Sequence, residues 1–198
     1  PSSAASALAA TKDASAIVSE LLVAINGTDR GAAATATRDK AVVALIQQLE
    51  NCGQGTDWLS DPTLFGNYAV SYVSVGNSEN SNPAGGRFRG RFGRSLFRTE
   101  ALFQHILRPD CVVNSVLFRI FGVVPCCVTL HGTFEPMAER RGFVRACFEM
   151  PRLSLGRRWP LTVRVGPTSG VQLSVTYLDE RIRLGRGGRG SAFVFERC

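Results

Sequence analysis

From about residue 67 onward, apolar and polar residues alternate with a period of two, and this pattern constrains the fold more than any other feature. Every second residue from Val171 to Tyr177 is apolar, for example, and these side chains would share one face. A period of two is typical of a β-strand with one buried face. Gly, Pro and Asn separate the runs at the spacing of antiparallel strands. The predicted strands are 67–75, 95–107, 111–121, 126–135, 142–150, 160–165, 170–177, 181–186 and 191–197.

About nine short strands with this patterning favour a closed barrel or a two-layer sandwich. Closing the sheet removes the exposed strand edges that would otherwise invite aggregation. An up-and-down barrel of about eight strands leaves an interior that can hold one small ligand. The predicted fold class is therefore mostly β, with an antiparallel barrel as its main part.

The first part of the chain has a different period and is predicted to form two helices within residues 14–50. Apolar residues recur at helical spacing from Ile17 to Ile25 and again from Val42 to Leu49. Asp13 is a candidate N-cap for the first helix, and Asn26-Gly27 is a stop signal.

The chain of 198 residues is long enough for one domain. We expect a helical segment, 1–60, that packs on a barrel, 61–198, within that single domain. No apolar run approaches the length of a transmembrane helix, so any membrane association would be peripheral.

The net charge of +7 is unevenly distributed. The first 60 residues carry four basic and six acidic groups, whereas the other 138 carry nineteen basic and ten acidic groups. This asymmetry indicates an anionic partner for the second part, either lipid head groups or nucleic acid.

The residue types that carry catalysis or bind metals do not form a recognisable site. The six cysteines include the adjacent pair Cys126–Cys127, in which a mutual disulfide would be strained. His105 and His131 have neither zinc-ligand spacing to a cysteine nor a nucleophile motif nearby. We therefore predict reduced, mostly buried thiols, no catalytic residues, no metal and no required cofactor; the chain is predicted not to be an enzyme.

Two arginine-rich segments are candidate surfaces. Arginines 181, 183, 186 and 189 alternate with glycines as in RNA-binding segments, but they lie between two strand-like runs. A hairpin with outward-facing arginines is the simpler interpretation. The other segment interleaves arginine with phenylalanine and is either a membrane or partner surface or a plain strand. Its candidate surface residues are Arg87, Phe88, Arg89, Arg91, Phe92 and Arg94.

Three segments carry more specific motifs. Residues 21–31 form a helix that runs into a G-T-x-R-G turn, and residues 66–74 form a strand with Tyr68 at a motif position usually held by tryptophan. Residues 176–195 contain T-Y-L-D, then R-G and G-S-x-F-V. Together these segments resemble the fibrillin (plastoglobulin) family of plastid lipid-associated proteins.

The resemblance implies a lipocalin-like barrel in a chloroplast protein, on the stromal side of thylakoids or at plastoglobules. It implies a non-enzymatic function in which a carotenoid, quinone, tocopherol or fatty acid is bound or sequestered. The alternative is a structural or assembly subunit that docks on a thylakoid protein complex through its basic face. Nucleic acid is not an expected partner.

The resemblance suggests one ligand-binding residue, and the needs of an apolar cavity in the predicted barrel suggest the others. The carboxylate of Asp179 either meets the polar end of a ligand at the barrel mouth, or accepts backbone N–H groups and pairs with Arg181 or Arg183. Aromatic residues of the predicted strands either line a cavity or fill the barrel core. The ligand-binding candidates are Asp179, Tyr177, Phe118, Phe134, Phe148, Phe193 and Phe195.

Overall fold

The structure is a computed structural model that describes residues 2–74, 97–140, 142–156, 161–188 and 190–198, with the backbone alone for 2–13 and 97. Within these residues the helices are α1 (Ser2–Ile25), α2 (Ala36–Cys52) and a 3₁₀ helix, Pro62–Leu64. The strands are β1 (Gly66–Val73), β2 (Phe97–Leu107), β3 (Cys111–Ile120), β4 (Val124–Pro136), β5 (Phe143–Phe148), β6 (Arg152–Leu155), β7 (Leu161–Arg164), β8 (Ser169–Leu178), β9 (Ile182–Gly187) and β10 (Ala192–Arg197).

Eight of these strands close an antiparallel barrel in the order β1-β2-β3-β4-β5-β8-β9-β10, with β10 paired to β1. The remaining two, β6 and β7, form a hairpin on the first half of β4, while β5 pairs with its second half. The predicted mostly-β barrel preceded by two helices is confirmed. The short strand β6 was not predicted, because four residues are too few to show a period.

The helices differ from the prediction at one boundary. Helix α1 begins at Ser2, so Asp13 lies inside it and the predicted N-cap is wrong. The reason is the alanine-rich stretch before Asp13, since alanine has the highest helix propensity. The predicted stop is confirmed: α1 ends at Ile25, and Gly27 has a φ of 72°, a left-handed conformation that favours glycine. Neither helix in the described residues is long and apolar enough to cross a membrane.

The two helices pack on the outer wall of the barrel. Val18 of α1 and Leu49 of α2 are fully buried in one apolar cluster with Leu184 of β9 and Val194 of β10. An ion pair adds to this contact, because Nε and Nη2 of Arg186 each lie 2.7 Å from a carboxylate oxygen of Glu50 on α2. That pairing raises the pKa of Arg186.

Because the outer wall is largely apolar beneath the helices, strand β9 directs Arg183 into the barrel, whereas Arg186 lies outside and pairs with Glu50. Ile182 and Leu184 face the helices, whereas Arg183 and Gly185 face the interior. The prediction that the arginines of this strand point outward is therefore wrong for Arg183.

All six cysteines are free thiols. Cys126 is buried, and that burial raises the pKa of its thiol. The prediction of mostly buried thiols is wrong for Cys52, Cys147 and Cys198, which are exposed. Cys147, for example, lies on the solvent side of β5, because Ala146 and Phe148 occupy the inner side.

Candidate ligand cavity inside the barrel

One end of the barrel is filled by the segment that precedes β1. Leu64 and Tyr68 are buried there, and the Tyr68 hydroxyl donates to the Leu64 carbonyl at 2.9 Å. Arg197 donates to the Thr63 carbonyl and, at 3.0 Å, to the Tyr68 hydroxyl. These contacts hold the 3₁₀ helix across this end, which we call the plugged end; the opposite end is the wide end.

A cavity of about 780 Å³ occupies the half of the interior toward the wide end. Its volume lies within the range of roughly 300–1,000 Å³ that is usual for small-molecule sites. Its wall is mostly apolar, and all eight barrel strands contribute to it, so the cavity is the barrel interior. One lining residue from each strand, in chain order, is Val70, Leu102, Asn114, Leu130, Phe148, Leu173, Gly187 and Phe193.

A second, smaller cavity of about 50 Å³ lies toward the plugged end. Leu59 and Leu64 border it on the side of the plug. Phe193 and Phe195 border both cavities, so the two spaces are neighbours along the barrel axis. The smaller cavity has room for on the order of three water molecules or one carboxyl group.

Arg183 borders the smaller cavity and is only 5% exposed. Its guanidinium contacts two aromatic rings, with the Tyr68 centroid at 4.5 Å and the Phe195 centroid at 4.1 Å, and the two rings stand at 74° to each other. The Nη2 group donates to Oε1 of Gln104, whereas Nε is buried without a hydrogen-bond partner in the described part of the chain. The two π faces stabilise the cation but offer its N–H groups no acceptor.

The charge of Arg183 has no counter-ion among the described residues, because none of their ion pairs includes it. Burial lowers the pKa of Arg183 to about 10, with the nearby Tyr68 opposing this change and Arg197 adding to it. The guanidinium is therefore charged at neutral pH. A buried charge without a partner costs several kcal/mol, at the order-of-magnitude level.

A row of polar side chains connects the two cavities. Gln104 uses its carbonyl oxygen to accept from Arg183, which leaves its amide nitrogen to donate to Oδ1 of Asn114 at 2.9 Å. Gln104 borders both cavities, and Asn114 borders the larger one. Sequence reasoning missed this row, since Gln104 and Asn114 lie in no motif and Arg183, within the motif segment 176–195, was predicted to face outward.

The structure brings four of the predicted ligand-binding aromatic residues to the interior. Phe134 borders the smaller cavity, Phe148 borders the larger one, and Phe193 and Phe195 border both. Phe118, on β3, is not among the described residues that line either cavity. Ligand contact by any of the five stays a prediction.

Tyr177 lies on the helix-facing side of the barrel. It belongs to the cluster under the helices, and its ring centroid is 5.9 Å from that of Trp58. A β-bulge between Val175 and Tyr177 shifts the alternation of β8, so the two side chains do not share the face that the period of two predicts. Its predicted role in ligand binding has no cavity contact to support it.

Asp179 organises the turn between β8 and β9. Its Oδ1 accepts from the backbone N–H groups of Arg181 and Ile182, both at 2.7 Å, and its Oδ2 accepts from the Tyr177 hydroxyl at 3.1 Å. The predicted backbone contacts are confirmed. The ion pairs of the described residues do not include the predicted pairing with Arg181 or Arg183, because Arg181 donates to the Ser19 hydroxyl and Arg183 enters the barrel. The predicted contact of Asp179 with a ligand stays a prediction.

The predicted membrane or partner surface lies in a part of the chain that the structure does not describe. All six of its residues lie outside the described residues: Arg87, Phe88, Arg89, Arg91, Phe92 and Arg94.

The turn between β3 and β4 exposes large apolar side chains. It lies at the wide end, since β3 runs from Val112 at the smaller cavity to Val116 at the larger one. Phe121 and Val123 in this turn are 69% and 70% exposed. Phe121 also has a φ of 52°, which is uncommon for a bulky residue. Turns normally carry small or polar residues, so this apolar turn is a candidate contact surface.

Comparison with known proteins agrees with this architecture. The model of the PAP_fibrillin family matches residues 15–196. The chain belongs to the fibrillin family. It is also 32% identical to the probable plastid-lipid-associated protein 8, chloroplastic, of Arabidopsis thaliana, over 182 residues that cover 91% of this chain and 71% of that protein. The predicted family and the predicted plastid location are thereby confirmed, and this fibrillin is a plastid lipid-associated protein.

Proposed function

We propose that this fibrillin binds a small hydrophobic molecule inside its barrel, at the stromal surface of a thylakoid or plastoglobule. The observation that carries the proposal is the partly open cavity of about 780 Å³ that all eight barrel strands line. Small-molecule sites are typically concave, mostly apolar spaces of this size. An apolar ligand in this space would gain about 25 cal/mol for each Å² of surface removed from water. Carotenoids, quinones, tocopherols and fatty acids all have this character.

The proposed function is binding without a chemical reaction. Apart from Arg183, the polar side chains among the described residues that line the cavities are amides and hydroxyls, which orient a ligand but are poor general acids or bases at neutral pH. His105 lies on the outside, with Nδ1 at 2.8 Å from Oδ1 of Asn67. The described residues also contain no cluster of His, Cys, Asp and Glu that could hold a metal ion.

The wide end is the end that we place against the lipid. Phe121 and Val123 project there into solvent, and a phenylalanine at a membrane surface can enter the boundary of the acyl chains. The net charge of +7 favours approach to an anionic leaflet. In this orientation a ligand would move between the membrane and the larger cavity with little exposure to water.

A substitution that fills the cavity tests the proposal. Val116 borders the larger cavity, so Val116→Trp would place an indole in the ligand's space. We expect the wild-type chain to bind α-tocopherol or a prenylated quinone in equilibrium dialysis. The variant should bind about 5- to 150-fold more weakly, since forcing extra side-chain volume into a filled site costs about 1–3 kcal/mol.

Val163→Trp is the matched control. Val163 is 39% exposed on β7, which lies outside the closed barrel, so the same substitution should leave binding unchanged. The proposal is wrong if the wild-type chain binds no apolar molecule, or if Val116→Trp binds as tightly as Val163→Trp.

A further inference from the structure

We propose that the barrel recognises the carboxylate of an amphiphilic ligand, with Arg183 as the residue that binds the anion. This inference rests on the proposed function and adds a chemical class to it: a long apolar molecule that ends in a carboxylate. It assigns the head of the ligand to the smaller cavity and the tail to the larger one.

The first argument is the unsatisfied donor. Arg183 has five N–H groups, of which the described contacts use one for Gln104 and leave Nε buried without an acceptor. Buried polar groups in native proteins almost always have a partner. A carboxylate in the smaller cavity would supply both the missing acceptor and the missing negative charge.

The second argument is the shape of the opening around the guanidinium. The rings of Tyr68 and Phe195 stand at 74° to each other and both contact the guanidinium without offering it a hydrogen-bond acceptor, so a new partner has to come from the cavity that Arg183 borders. A carboxylate is planar and can pair edge to edge with the free N–H groups of a guanidinium. The cavity of about 50 Å³ has room for such a group.

The third argument is the path for the tail. Phe193 and Phe195 border both cavities and form an apolar wall from Arg183 toward the wide end. Leu64 closes the interior behind the smaller cavity. A ligand that enters from the wide end would therefore place its carboxylate at Arg183 and its apolar chain along the two phenylalanines.

The test compares three probes that share one tail, palmitate, methyl palmitate and hexadecanol, with the full chain in equilibrium dialysis. We expect wild-type protein to bind palmitate about 10- to 100-fold more tightly than the ester, as hydrogen bonds to charged groups usually contribute. Arg183→Met should lose this preference while keeping its affinity for the ester. Arg181→Met, in the exposed turn before β9, should keep the preference.

The outcomes separate this inference from the proposed function. Equal binding of palmitate and its ester by the wild-type chain would overturn the role of Arg183 but leave apolar binding intact. Binding of none of these probes, of tocopherol or of a quinone would overturn both. If Arg183→Met does not fold, the wild-type comparison still decides, and palmitate should raise the melting temperature more than the ester does.

Discussion

The two ends of the barrel belong to the same strands and differ in what fills them. At the plugged end, Leu64 and Tyr68 are buried, and Arg197 ties the 3₁₀ helix to the last strand. Toward the wide end, the walls line a partly open cavity of about 780 Å³, and Phe121 projects from the rim into solvent. The contrast teaches that the packing that holds this fold and the space proposed for a ligand are separated along the barrel axis.

The helices reinforce this separation because they pack outside the barrel. Their apolar faces, including Val18 and Leu49, bury Leu184 and Val194 of the outer wall. A substantial part of the apolar core therefore stabilises the barrel without occupying its interior. A fold whose core continues on the outside of the sheet can tolerate the cavity that its described strands line inside.

The largest expected effect comes from a matched pair of leucine truncations. Leu64→Ala at the plug should destabilise the protein by about 2–5 kcal/mol, because Leu64 is 2% exposed and belongs to an apolar cluster with Tyr68 and Phe195. Leu130→Ala toward the wide end should cost only about 1–2 kcal/mol, because Leu130 borders the larger cavity and has fewer contacts to lose. Denaturant unfolding of both variants measures the difference in free energy. Equal losses would contradict the division into a packed end and a hollow end.

A smaller effect is expected at the rim. Phe121→Ser combined with Val123→Ser should weaken binding to vesicles that contain anionic lipid by about tenfold or more, since burying one such side chain contributes about 1.5–3 kcal/mol. Folding stability should stay unchanged, because both side chains are largely exposed.

Val23→Ser is the control for this experiment, since Val23 is 75% exposed on α1. Co-sedimentation with vesicles should show wild-type binding for this variant. If Val23→Ser weakens binding as much as the rim variant does, the wide end is not the lipid-facing end.

The smallest effect concerns tyrosine ionisation and has no consequence at neutral pH. All three tyrosines of the chain, Tyr68, Tyr72 and Tyr177, lie in packed regions, where burial raises each pKa above the ordinary 10.0. Asp39 adds to this effect at Tyr72 by accepting a hydrogen bond from its hydroxyl, and Asp179 does so at Tyr177.

The sign of the pH dependence follows from these raised values. Folding favours the neutral phenols, so their contribution to stability is complete below pH 10.0 and is lost as the pH rises above it toward the folded-state pKa values. Phenolate absorbance should therefore appear together with unfolding. A tyrosine that ionises at its ordinary pKa in the folded protein would show that its region is less packed than described.

The alternating pattern predicts side-chain direction well where one face of a strand meets the core and the other meets water. In β5, Val144, Ala146 and Phe148 are buried, and Arg145 and Cys147 are exposed, as the period of two predicts. The barrel class follows from such strands. The volume of the barrel interior does not follow from the pattern, because it depends on how the eight strands close.

The alternating pattern mispredicts the direction of a side chain where the outer face of a strand is covered or where a bulge interrupts the strand. In β9, helices cover the outer wall, so Ile182 and Leu184 face outward and Arg183 faces inward. In β8, the bulge moves Tyr177 from the interior to the helix side. One signal for Arg183 was present: two helices with one apolar face each require an apolar outer wall, and Ile182 and Leu184 provide part of it.

The most direct test of the central claim is organic extraction, followed by mass spectrometry, of the protein purified from plastids under native conditions. Wild-type protein and the Val116→Trp variant would be prepared side by side. The proposed function predicts a small apolar molecule bound to the wild type at close to one per barrel, and its depletion in the variant. Wild-type protein with no bound molecule, or equal amounts in both preparations, would contradict it.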